Sequence, residues 1–165
     1  MYSVLYLLCP TDCLETRVND AFKHQNYFYT SLGNSLSLDD KTVESLKALM
    51  LEHSIREISV VLSNDNPIFL DALEGQFFYK INGLNRFYKK IGRQRRHSEL
   101  IWNGDNRRDA ILSYFLNNKI KELQLRLANF PFHSVKINGK IYDRFENSFK
   151  NVYSNLTCLE KHSLN

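Results

Sequence analysis

Two continuous apolar runs, with a helical stretch leading into the second, constrain this fold more than any other feature of the sequence. Val4 to Leu8 reads VLYLL and Glu57 to Leu62 reads EISVVL. Neither run has helical spacing, and the first carries no polar residue at all, as expected of strands covered on both faces. Before the second run, Val43, Leu46, Leu49 and Met50 form one helical stripe from about Thr42, with Asp39 and Asp40 as N-cap candidates and favourable charge at its start. With a short strand at Asn26 to Thr30 before that helix and a short connection after it, strand, helix and strand in this order imply a right-handed crossover and a parallel sheet.

The other segments extend this α/β pattern. Leu14, Val18, Ala21 and Phe22 share a helical face within Cys13 to Lys23, and Asn26 to Thr30 reads as a short aromatic strand. Ser31 to Ser35 is a loop in which Gly33 is free to take positive φ. Ser63 to Pro67 is a turn, with Asn66 as N-cap and Pro67 at the first helical position of the next helix. Gly75 to His97 is aromatic and then basic, and its periodicity settles neither helix nor loop. Asp105 is placed to cap a long helix from Asn106 to Asn129, with Ile111, Leu112, Phe115, Leu116, Ile120, Leu123 and Leu127 as its stripe and Pro131 at its exit. Val135 to Asp143 is strand-like; its Asn138-Gly139 pair fits either a tight hairpin or a bend in a longer strand.

One domain over 1–153 and a polar tail over 154–165 fit the 165 residues, and a 43% hydrophobic content suffices for a packed core. No apolar run reaches the roughly 20 residues that a membrane span needs. Met1 to Leu8 lacks a basic leader and reads as a strand, not a signal peptide. Three cysteines, Cys9, Cys13 and Cys158, show no framework spacing, so a reducing cytoplasm is expected. Much of the net charge of +4 gathers in Lys89, Lys90, Arg93, Arg95 and Arg96, with Arg107 and Arg108 further on. Such a stretch is a solvated helix or loop, or a phosphate-binding surface for nucleic acid.

Five segments, in order, resemble the β-class carbonic anhydrases. Cys13-Leu14-Glu15-Thr16-Arg17-Val18 is similar to the family's C-x-D-x-R-V, in which Cys binds zinc and the Asp-Arg pair gates the fourth zinc position. Tyr29 to Asn34 resembles the F-x-x-R-N-A-G-N loop with its Gly33-Asn34 end intact, and Thr42 to Leu51 the helix S-L-x-Y-A-V. Ile58 to Asn66 is similar to I-x-V-x-G-H-x-x-C, and Ile137 to Asp143 to the late V-H-G-W-x-Y-D strand. The resemblance implies a central, mostly parallel sheet of four to five strands flanked by helices. It also implies a homodimer, since a dimer is the family's smallest assembly. Phe77-Phe78-Tyr79 then helps to form the subunit boundary, unless these aromatics are ordinary core.

The departures bear on function. Ser63 and Asn66 stand where the family has its His and second Cys, leaving Cys13 as the one zinc ligand that the resemblance supplies. Zinc prefers thiolate and imidazole to neutral hydroxyl or amide oxygen, and without zinc nothing lowers the pKa of the attacking water. The expected protein is therefore carbonic anhydrase-like, without zinc-dependent CO2 hydration and with no cofactor. Glu15 and Arg17 are a remnant of the gating pair or an ordinary ion pair at a helix start, worth about 0.2–1 kcal/mol. Backbone N–H groups around Gly33, Asn34, Ser63 and Asn66 suit a small anion, which makes the chain an anion- or partner-binding scaffold. Two alternatives stay open. One is an active zinc carbonate dehydratase-type enzyme whose site is rebuilt from Cys9, Cys13 and Asp65, or with His24 or His133. The other is nucleic-acid binding through the basic stretch.

Overall fold

A computed structural model describes residues 2–101, 106–130 and 135–153. The helix cap expected at Asp105, the exit at Pro131, His133, Cys158 and the tail all lie outside the described residues.

Five strands form one sheet: β1 (Ser3–Leu8), β2 (Gln25–Thr30), β3 (Ile55–Ser63), β4 (Lys136–Asp143) and β5 (Ser148–Asn151), in the order β2-β1-β3-β4-β5. The first four run parallel, and β5 pairs antiparallel with β4 at one edge. This is the parallel topology expected from the order strand, helix, strand. Both apolar runs are buried on both faces because their alternate residues enter different cores. Leu5, Leu7, Ile58, Val60 and Leu62 join the larger core, whereas Val4, Tyr6, Leu8 and Val61 join a smaller one on the opposite face.

Helix α1 (Glu15–Ala21) covers the smaller core, with Leu14 at its N-cap position and Val18 both buried there. Helices α2 (Asp40–Glu52), α3 (Pro67–Glu74), α4 (Asn85–Ile101) and α5 (Asn106–Arg126) supply buried residues to the larger core. The expected caps form as local chemistry dictates. Asp39 accepts from the Thr42 N–H at 2.8 Å, and Asn66 accepts from the Phe69 N–H at 3.0 Å beside Pro67.

The stretch that periodicity left unsettled is two structures. Residues 75–84 form successive turns fastened to Asp71, whose carboxylate accepts from the Phe77 and Phe78 N–H groups, each at 3.0 Å, and from the Tyr88 hydroxyl. Helix α4 follows; Leu84 just before it and Phe87, Tyr88 and Ile91 within it face the core. Phe77, Phe78 and Tyr79 are exposed, Phe77 by 84%, so they are not core in the single chain. The Asn138-Gly139 pair lies inside β4, in unbroken register with β3, which settles the hairpin alternative against the hairpin. Glycine suits position 139 because a Cβ there would lie 3.0 Å from side-chain atoms of Ile120 and Val152, which would have to shift.

Candidate functional site

In a parallel sheet, the loops at the carboxyl ends of the strands converge on one edge, where such folds usually place their sites. Four such ends meet here. Residues 9–13 follow β1, residues 31–35 follow β2, Asn64 to Asn66 follow β3, and Arg144 follows β4. Gly33 takes φ +60°, and its N–H donates to the Cys9 sulfur at 3.0 Å. The Asn34 side-chain amide donates to the carbonyls of Leu7 and Val61, tying this loop to the ends of β1 and β3.

Asp12 is the centre of the cluster, only 1% exposed. One carboxylate oxygen accepts from the Ser63 N–H at 2.9 Å and the other from the Asn66 amide at 2.8 Å. That amide also donates to the Thr11 hydroxyl at 3.1 Å, and Thr11 meets the Cys9 sulfur at 3.0 Å. Arg144 donates to Asp65 at 2.9 Å and to the Asp12 backbone carbonyl at 3.2 Å, while the Ser63 hydroxyl donates to the other Asp65 oxygen. Burial pushes the Asp12 carboxyl above the usual aspartate range. The bonds from Ser63 and Asn66 and the nearby Arg144 charge oppose that rise.

Several expected site residues lie elsewhere. Cys13, expected as the surviving thiolate, is exposed at φ 51°, and its thiol donates to the Pro10 carbonyl at 3.5 Å. The cysteine connected to the Ser63–Asn66 turn is Cys9, through Thr11, because the motif begins five residues past Leu8, the last residue of β1. Arg17 is exposed, and among the described residues no ion pair joins it to Glu15. The arginine and carboxylate that do meet at the strand ends are Arg144 and Asp65. His24 sits at the other end of β1, bonded to Tyr2. The N–H donors expected to receive an anion at Gly33 and Ser63, and the Asn34 and Asn66 amides, are all spent on internal acceptors.

The basic stretch fans out around α4. Lys89, Arg93 and Arg96 border a depression beside Tyr79 and Tyr88. Arg95 turns away to the Leu73 carbonyl and Glu99, and Lys90 borders a different cavity. A cleft of about 760 Å³ opens beside the strand ends and is lined by four arginines and five carboxylates. Its ion pairs, Arg107 with Glu99 and Arg144 with Asp65 among them, leave it without a cationic excess.

No protein-family model and no curated protein matches the sequence. The fold, in contrast, matches solved structures along almost its whole length. The chain is similar to the β-carbonic anhydrase CafA of the fungus Aspergillus fumigatus, with TM-score 0.68 and 12% identity over 93% of this chain and 76% of that one. It is similar to a tetrameric β-carbonic anhydrase of the ascomycete Sordaria macrospora, with TM-score 0.70 and 15% identity over 92% and 81%. A Coccomyxa β-carbonic anhydrase in complex with acetazolamide gives TM-score 0.65 and 15% identity over 92% and 72%. At such identities the likeness establishes the fold, a β-carbonic anhydrase-like α/β architecture.

That fold implies zinc, and the strand-end donors do not fit it. Asn66 presents its NH2 to the cluster, and this orientation is set by the surroundings, because its oxygen accepts from Phe69 and a flipped amide would oppose Asp12. An NH2 group has no lone pair for a cation. Ser63 offers a hydroxyl already donating to Asp65, and Cys9 one sulfur already accepting from Gly33. Among the described residues, no group of three His, Cys, Asp or Glu side chains is placed to hold a metal. The substitute set of Cys9, Cys13 and Asp65 is not brought together.

Proposed function

We propose that this chain is a carbonic anhydrase-like scaffold that does not hydrate CO2 by the zinc mechanism and acts through binding. One observation carries this reading: Asn66, at the position of the second cysteine ligand, aims two N–H donors at Asp12 and Thr11 instead of a lone pair at a metal. Its hydrogen bonds tie the loop after β1 to the turn after β3, a joining role that a metal would otherwise fill. The binding role is assigned to self-association. Phe77, Phe78, Tyr79 and Ile81 are exposed on one short segment, interrupted by Lys80, and exposed apolar side chains so close together suit a protein contact. A homodimer is the assembly proposed.

Stopped-flow CO2 hydration by the full chain, with and without added zinc, tests the loss of catalysis. The expected result is the buffer rate in both cases. Zinc-dependent turnover that disappears in Cys9→Ser would refute it.

A further inference from the structure

We propose that a cationic cavity between the 35–37 loop, the first turn of α4 and the middle of α5 binds a phosphate group, held by Lys119, Lys90 and Arg86. The cavity holds about 290 Å³ and is bordered by these three cations and one carboxylate, Glu122. It touches the loop after β2 only at Ser35, shares none of the Asp12, Asp65, Asn66 and Arg144 hydrogen-bond cluster, and does not depend on whether that cluster holds zinc.

Lys119 is the unusual residue. It stands in the middle of α5 and is only 5% exposed. An ammonium taken out of water costs free energy unless its charge and its donors are satisfied. Here one donor reaches the Leu36 carbonyl at 2.7 Å and another reaches Glu122 at 3.4 Å, a long contact for an ion pair. An ammonium carries three donors, so one N–H is left without a partner among the described residues. Burial lowers the pKa of Lys119; the charge and hydrogen bond of Glu122 oppose that shift, while the charges of Lys90 and Arg86 add to it. Neither Lys90 nor Arg86 forms an ion pair among the described residues.

The three cations repel one another and have a single carboxylate, Glu122, as counter-charge. The larger cleft beside the strand ends is the contrast, since its arginines are matched by carboxylates. A dianion supplies the two negative charges that the smaller cavity is short of. The first turn of the 17-residue α4 borders the same space, and the positive end of its dipole adds to the attraction. The hydroxyls of Ser35 and Ser37 offer further donors, while Phe87 and Phe115 form an apolar wall. The volume lies at the lower limit of small-molecule pockets. It suits phosphate itself or the monoester of a short carbon skeleton.

Calorimetric titration of the full chain with inorganic phosphate, glycerol phosphate and acetate, at low ionic strength, tests this. Saturable binding of one phosphate group per chain is expected, with acetate much weaker. Because a charge-assisted hydrogen bond contributes about 1.5–3 kcal/mol, Arg86→Ala or Lys90→Ala should each weaken phosphate binding by about tenfold or more. Both residues are exposed, so these variants keep the fold, and Lys119→Gln should lose binding altogether. Glycerol phosphate binding more tightly than phosphate would assign the site to monoesters; equal affinity would assign it to the free ion. Absence of saturable phosphate binding overturns the proposal, as does equal affinity for acetate or affinity unchanged in both the Arg86 and Lys90 variants.

Discussion

Asn66 does three things with one amide: it caps α3 through Phe69, holds Asp12 and holds Thr11. Asn66→Ala removes all three and leaves the buried Asp12 carboxylate short of a donor. Leaving such groups unsatisfied costs about 1–3 kcal/mol, and urea denaturation followed by circular dichroism should show a loss of that order. Asn66→Asp keeps the cap but sets a second carboxylate against Asp12, so it should be no better than the alanine variant at neutral pH. The cap itself was legible in the sequence because Asn-Pro before a helix is local chemistry. The rest of the cluster was not. Arg144 meets Asp65 across 79 residues of chain, and Asp12 meets Ser63 across 51. No spacing rule connects residues so far apart. The motif matches at Cys13, while the thiol that meets Thr11 in the strand-end cluster is that of Cys9, four residues earlier, a placement that tertiary structure sets.

At the level of elements, buried strands and capped helices announce themselves. VLYLL and EISVVL became β1 and β3, and the stripe from Val43 to Met50 became the buried face of α2. The stretch before α4 was opaque because the anchor of its turns, Asp71, lies on another helix. The loop after β2 was only partly legible. The sequence allows Gly33 its positive φ, but its N–H bond to Cys9 and its packing against Ile68 and Phe87 depend on tertiary structure. A Cβ at Gly33 would lie 3.3 Å from side-chain atoms of both Ile68 and Phe87. With the left-handed backbone, which costs a non-glycine residue about 1–2 kcal/mol, Gly33→Ala should lower the melting temperature. Calorimetry at fixed pH would measure it. An unchanged melting temperature would mean that the loop relaxes freely and does not hold the strand ends.

On the scale of the whole molecule, the sheet order and the helices around it give the β-carbonic anhydrase-like architecture, which the order of five weak motifs anticipated. Architecture alone does not carry an activity, since folds host many functions and the site decides among them. The exposed Phe77 to Ile81 stretch belongs to this scale, because its meaning depends on a second chain. Sedimentation velocity should find a dimer that Phe77→Ser with Phe78→Ser converts to monomer; a monomeric wild type would remove the self-association role. The central claim, however, rests on the strand ends. Equilibrium zinc binding by the reduced, full-length chain, read by native mass spectrometry against a competing chelator, addresses it most directly. The account predicts no stoichiometric zinc on the wild type. One tightly held zinc per chain, lost in Cys9→Ser, would contradict it.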